Sequence, residues 1–307
     1  MTDIYIHQSA SKKKRVLAVI LLGMSALAVV VWNRSQLSPK NDPQPLTEPE
    51  ISSAGPRPGS STVASPGKES LSPREFTKRL SEIKEAIANG NLLSARESAL
   101  SLLDETGNHP SRGEVETLLG DLHTRLVFSA AEMPGKTLHV VRGGDTLGEL
   151  ARTYSTTTDL IAEANGIRNN MIRAGAALKI LNGEFSAVVS KSRNDLELRL
   201  NDRFFKRYRV GTGTDSSTPA GDYVITLRMR HPVWYRTDGR SFPYGHPENL
   251  LGTHYLKLNT PGIGLHGTWE PESVGSQSSA GCVRLENEMI EELYKLLPEG
   301  TSVRITD

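Results

Sequence analysis

The chain has one cysteine in 307 residues, within "HGTWEPESVGSQSSAGCVRL", sixteen positions after His266. A lone thiol cannot close an internal disulfide, so Cys282 is packed away, reactive, or paired with another chain. Thiol and imidazole together can form a nucleophile and its base. The attacking species is the thiolate, and an isolated thiol, with a pKa of about 8.5, is mostly protonated at neutral pH. A nearby imidazole can take that proton. The N–H groups of a tight turn can then stabilise the charge that builds on a substrate oxygen. Ser279, Ala280 and Gly281 are small enough to let the backbone turn just before Cys282, and Gly264 and Gly267 free the backbone around His266 to approach another segment. The competing reading of Cys282 is a small buried apolar side chain beside a surface loop.

The segments that must position this pair are mostly strands. From Phe185 onward the apolar pattern has period two: "SAVVSK", "DLELRL", "RYRVGTG", "DYVITLRM", "HYLKL" and "TSVRI" read as strands separated by turn residues. "NEMIEELYKLLPEG" (287–300) is the one clear helix, with Asn287 as a plausible N-cap and Pro298 and Gly300 closing it. A mostly β domain with one late helix puts "SSAGCVRL" in the connection feeding that helix. "HPVWYRTDGRSFPYGHPENLLG" (231–252) reads as a loop or lid over a cleft, with Trp234, Tyr235, Phe242 and Tyr244 as apolar walls. His231, His246 and His254 make no recognisable metal-ligand spacing with His266, so neither a metal nor a cofactor is expected.

"GIGLHGTWEPESVGSQSSAGCVRLENEMIEELYKLLPEGTSVRI" resembles the catalytic core of the L,D-transpeptidases, the YkuD-like family. "YRVGTGTDSSTPAGDYVI" and "ENLLGTHYLKL" extend the resemblance upstream, so that it covers the domain expected over 184–307. By position it implies that Cys282 is the nucleophile and His266 the base. It gives the Gly267 carbonyl an orienting role and places Ser279 in the family's Ser/Thr signature position. The N–H groups of Gly281 and Cys282 would serve the oxyanion, and Arg284 would hold the site or a substrate carboxylate. A plain salt bridge from Arg284 to Glu286 or Glu288 is the alternative. Trp234 and Tyr235 would contact substrate. The implied reaction is acyl transfer from a peptidoglycan stem tetrapeptide through a cysteine thioester, giving a 3→3 crosslink with a stem amine. Water as acceptor would make a carboxypeptidase, and a protein amine would attach that protein to the wall. Ala280 stands where the family usually has His, and Leu250 replaces a usual proline. The first departure leaves open a non-catalytic scaffold, although the retained Cys282, His266 and glycines argue for an enzyme.

Upstream, "KTLHVVRGGDTLGELARTYSTTTDLIAEANGIRNNMIRAGAALKIL" (136–181) reads as strand, helix, helix, strand. Thr146 and Glu149 form a capping box, and Asn165-Gly166 ends the second helix. The block resembles a LysM domain, which implies binding to N-acetylglucosamine-containing glycan strands. Gly144, Asp145, Thr146, Asn165 and Ile167 would line its groove, though capping alone accounts for Asp145 and Thr146. Residues 73–132 carry three helices of a small bundle resembling one tetratricopeptide pair, without the second copy a solenoid needs. They read as a spacer, with docking of a protein partner as the alternative.

The N-terminus bears on compartment. A basic segment (1–15) precedes "VLAVILLGMSALAVVVW" (16–32), near the lower limit for a membrane span. Ala26-Leu27-Ala28 resembles a signal-peptidase site, but the apolar run continues to Trp32, which favours a transmembrane anchor over a cleaved signal. Residues 33–72, rich in Pro and Ser, read as a disordered linker. With 36 Lys plus Arg against 35 Asp plus Glu, no basic field points to nucleic acid. The expected fold is therefore multidomain: anchor, helical bundle, LysM unit and mostly β catalytic domain. The expected place is the bacterial cell envelope, anchored in the inner membrane with the bulk beyond it.

Overall fold

Residues 71–307, apart from 108 and 237, are described in a computed structural model. The expected anchor at 16–32 and nearly all of the linker lie outside the described residues, among which no helix is long and apolar enough to cross a membrane.

Three helices come first: α1 (Pro73–Ala88), α2 (Leu92–Thr106) and α3 (Arg112–Val127). The Glu75 N–H donates to the Ser72 hydroxyl and Pro73 opens the first turn, so α1 starts where its capping residues place it. Phe76, Leu80 and Ile83 meet Ala95, Ala99, Leu102 and Leu103, and Val115, Leu119 and Leu122 of α3 complete this core. The lower end of α3 departs from the spacer expectation. Leu126 and Val127 belong to the core of the C-terminal sheet, so the bundle is seated on that sheet rather than held apart from it.

The LysM-like block folds as predicted, with β1 (Lys136–Val140), α4 (Leu147–Thr153), α5 (Thr158–Ala164) and β2 (Ala177–Leu181), the two strands antiparallel. Both halves of the Thr146–Glu149 capping box form. Its own core includes Leu147, Leu150, Ile161 and Ile180. Leu160, one residue earlier on α5, faces elsewhere and is buried in the core of the C-terminal sheet.

The C-terminal domain holds the remaining strands: β3 (Phe185–Ser190), β4 (Asp195–Leu200), β5 (Arg203–Arg209), β6 (Thr212–Gly213), β7 (Gly221–Arg230), β8 (Trp234–Tyr235), β9 (Ser241–Phe242), β10 (His254–Leu258), β11 (Gly264–His266), β12 (Gln277–Ser279), β13 (Val283–Arg284) and β14 (Ser302–Thr306). Eight of them form one sheet in the order β13-β11-β10-β7-β14-β3-β4-β5. Two short pairs, β6 with β12 and β8 with β9, lie beside it. Helix α6 (Asn287–Leu296) packs on β10 and β11 and buries Ile290, Leu293 and Leu296. It ends at Leu296, just before Pro298 as expected, but Glu286 rather than Asn287 is its N-cap. The Asn287 side chain is committed elsewhere, as the site shows.

Helix α3 and the LysM unit are both fastened to this sheet. The ring of His123, 2% exposed, stacks on Phe205, and its Nδ1 lies 2.8 Å from the Phe205 carbonyl. On the LysM side the Thr157 hydroxyl donates to the Lys295 carbonyl, Lys295 pairs with Glu163 at 3.0 Å, and Arg228 and Arg230 both pair with Asp159.

Candidate active site

Strands β11 and β13 run parallel, with Leu265 opposite Val283 and His266 opposite Arg284. One step back along this register, Cys282 comes opposite Gly264. Alternation then puts Cys282, His266 and Arg284 on one face, while Leu265 and Val283 point into the core. Cys282 and His266 are diagonal neighbours, with Cα atoms roughly 8 Å apart by strand geometry.

His266 is 4% exposed, and its Nδ1 lies 2.6 Å from the Gly267 carbonyl. A carbonyl can only accept, so Nδ1 carries the proton in the neutral ring and Nε2 keeps its lone pair. Burial drives the His266 pKa down to about 4, opposed by the bond to Gly267 and reinforced by the Arg284 charge. Burial also raises the Cys282 thiol, against the lowering effects of a Gly264 backbone contact and Arg284. The thiol donates to the Gly262 carbonyl at 3.1 Å. At neutral pH the pair therefore rests as thiol and free imidazole. Such a pair can deliver a nucleophile only when the proton moves to Nε2 as attack begins.

The turn before Cys282 is closed by Ser279. Its hydroxyl donates to the Cys282 carbonyl at 2.7 Å and accepts the Gly281 N–H at 3.1 Å. This corrects the expectation for Gly281, whose N–H is occupied by Ser279 rather than open to an oxyanion. Gly281 itself has a φ of +129°, a conformation L side chains rarely adopt. Strand β12 beside β6 brings Gly213 against this turn, where the buried Thr218 hydroxyl accepts the Gly213 N–H at 2.7 Å.

Arg284 is mostly buried and pairs with Glu270 at 3.6 Å, rather than with Glu286 or Glu288 as the simple salt-bridge reading had it. Glu270 lies in the loop after His266, so this pair ties the segments that carry Cys282 and His266 together. Trp234 stacks on Phe242 across the β8–β9 hairpin, and Tyr235 is 76% exposed. The hairpin is linked toward the His266 loop by Tyr244, which stacks on His231 and lies 6.0 Å from Trp269. Among the described residues no contact joins Trp234 or Tyr235 to Cys282 or His266.

Three residues were given no role in this site from the sequence. Asn249, 1% exposed, donates to the Pro232 and Phe242 carbonyls and accepts the Leu251 N–H, which holds the base of the hairpin. Asn287 accepts the Thr253 N–H at 3.1 Å and donates to the Thr268 carbonyl at 2.9 Å, bracing the loop that carries Gly267. Tyr255 lies opposite His266 in the β10–β11 register, and its ring centroid is 6.3 Å from the imidazole. From the sequence Asn249 stood only within the "ENLLGTHYLKL" resemblance, and Asn287 only as an N-cap.

Gly264 makes room for that tyrosine. A Cβ there would stand 2.5 Å from the Tyr255 ring and 2.7 Å from the Leu256 carbonyl oxygen. Gly264→Ala is expected to cost about 1–3 kcal/mol of stability by overpacking, read by thermal denaturation, and to displace His266 and Cys282. Adding Tyr255→Ala should recover only part of the loss, because the Leu256 carbonyl remains in the way.

In the LysM unit the polar side chains expected along the groove are engaged within the protein. Asp145 accepts from the Arg142 N–H at 2.8 Å and lies 2.9 Å from His139 Nε2, contacts that hold its carboxyl low. Thr146 caps α4, and the Asn165 amide bridges Ile161 and Lys179. Gly144 has a φ of +95°, and Ile167 packs on the LysM core.

Residues 184–305 match the L,D-transpeptidase catalytic domain (YkuD) and residues 139–181 match the LysM domain. The chain is 35% identical over 133 residues to the putative L,D-transpeptidase YqjB of Bacillus subtilis, covering 41% of this chain and 74% of that protein. It is 31% identical over 172 residues to the putative L,D-transpeptidase YkuD of the same organism, covering 54% of this chain and 96% of that protein. The chain belongs to the L,D-transpeptidases. A solved L,D-transpeptidase from Mycobacterium smegmatis matches with 19% identity and a TM-score of 0.36, over 43% of this chain and 64% of that one.

His266 of the YkuD domain and His123 of α3 are both buried neutral imidazoles, each with its pKa lowered to about 4, mainly by burial. The unfolded chain protonates both near 6.5, so between about pH 6.5 and 4 it binds more protons than the folded one. Stability is therefore full above 6.5 and falls as pH drops toward 4, by about 3 kcal/mol per histidine at most. Melting curves at pH 7 and pH 4.5 should differ accordingly, and His123→Phe should remove about half of the difference.

Proposed function

We propose that the chain is a cysteine-dependent L,D-transpeptidase that joins peptidoglycan stem peptides. The observation that carries this reading is His266, with its Nδ1 proton fixed on Gly267 and Nε2 free on the face it shares with Cys282. Cys282 attacks the carbonyl linking the third and fourth residues of a stem tetrapeptide as Nε2 takes the thiol proton. The Cys282 N–H supports the oxyanion, since Ser279 holds the Gly281 N–H. The tetrahedral intermediate collapses to a thioester. The terminal D-amino acid leaves with the proton held on His266. A stem amine then attacks the thioester, giving a 3→3 crosslink and returning the thiol.

Arg284 favours the thiolate and disfavours imidazolium, so it lowers the cost of the sulfur charge while keeping the base neutral. The LysM unit holds the enzyme to glycan strands, and residues 16–32 anchor it to the inner membrane, where the wall is near. Incubation with a disaccharide-tetrapeptide, analysed by mass spectrometry, tests the acceptor. A crosslinked dimer is the expected product. A tripeptide alone would mean that water is the acceptor and the protein is an L,D-carboxypeptidase.

A further inference from the structure

A cleft of about 920 Å³ opens between the LysM unit and the catalytic sheet, away from Cys282. One wall is the α4–α5 connection with Ser155 and Thr156. The other is built from the starts of β3 and β14 and the turn at Asn201, with Ser186 and Ser302, and Arg228 also lines it. The size is at the upper end of that usual for ligand pockets.

The walls belong to different domains but are fixed in place. Thr157, next to Thr156, donates to the Lys295 carbonyl, and Leu160 is buried in the catalytic core, so the cleft is preorganised. Hydroxyl side chains are the commonest in its lining, joined by the Asn201 amide and by both cationic and carboxylate side chains. That mixture selects a ligand with many hydroxyl and amide groups rather than one of a single charge.

Two polar atoms in these walls are buried without a protein partner among the described residues: Thr156 Oγ1, in a residue 6% exposed, and Arg228 Nε. An unpaired buried hydroxyl costs about 1–3 kcal/mol.

The cleft is separate from both sites already described. Its lining excludes Gly144–Thr146 and Asn165–Ile167. Arg228, Leu256, Leu265 and Val283 are successive register partners across the sheet, so three strand spacings, roughly 14 Å, separate the cleft from β13. Val283 also faces away from the side that carries Cys282. An occupant of the cleft therefore leaves the thiol open.

We infer that this interdomain cleft binds a short stretch of the glycan strand, as a saccharide site additional to the LysM groove. The inference rests on the reading of the chain as a wall enzyme. The test is hydrogen exchange of the full chain with the β-1,4-linked tetramer of N-acetylglucosamine, with acylation of Cys282 by donor peptide measured in parallel. Protection is expected at 155–158 and 298–302. Ser302→Trp, which fills the cleft from an exposed position, should raise the saccharide concentration needed there at least ten-fold. Thr156→Val, of similar shape, should raise it about three-fold, and both should leave Cys282 acylation unchanged. Protection absent from the cleft, or equal in native and variant chains, overturns the inference. Acylation that persists alongside that result leaves the transpeptidase reading standing, whereas failed acylation of the native chain counts against that reading separately.

Discussion

Cys282→Ala is expected to form no acyl-enzyme and to lower crosslinking by on the order of 10⁴-fold or more, because no other thiol exists to take its place. The fold should survive the change. Cys282 is not part of any of the three buried apolar cores, and its partner Gly262 is a backbone carbonyl on a turn. Melting temperature close to native, with turnover lost, separates this result from simple unfolding. The native thiol should also resist alkylation at pH 7 more than a free cysteine does, because burial raises it above its ordinary range. Its reaction with iodoacetamide should accelerate with pH and show no plateau near neutrality.

The second large effect belongs to His266. His266→Gln keeps a donor toward Gly267 but removes the base, and general-base losses of about 10²–10⁴-fold are typical. In the native chain the acid limb of kcat/KM should lie near pH 4, the value to which burial brings the imidazole, and the rate should be flat from about pH 5 to 7. Arg284→Gln removes a positive charge that disfavours imidazolium, so the limb should move to higher pH while the thiol rises further. An acid limb near 6.5 in the native enzyme would show that His266 is solvated during reaction and that the buried geometry is not the working one.

Much of this was readable along the chain because the signals are local. The Thr146–Glu149 box, the period-two strands from Phe185 onward, and the Cys282–His266 spacing each sit within a few residues or within one motif. What escaped depends on pairings between distant segments. Asn287 has the sequence context of an N-cap, yet Thr253 and Thr268 claim its amide once β10 and β11 are paired. Gly281 has the context of an oxyanion donor, but Ser279 folds back onto its N–H. Tyr255 carries no mark in "GTHYLKL" and becomes a neighbour of His266 only through strand register. Leu160 and Val127 look like ordinary helix positions, and only the assembled core shows that they fasten LysM and bundle to the sheet.

The central claim is that Cys282 carries the acyl group, and intact-protein mass spectrometry tests it most directly. The native chain, mixed briefly with a disaccharide-tetrapeptide and quenched in acid, should gain the mass of the donor less its terminal D-amino acid. That mass should map to the peptide containing Cys282 and be absent from Cys282→Ala. Product formed with no such adduct on Cys282, or an adduct that persists in Cys282→Ala, would contradict the account.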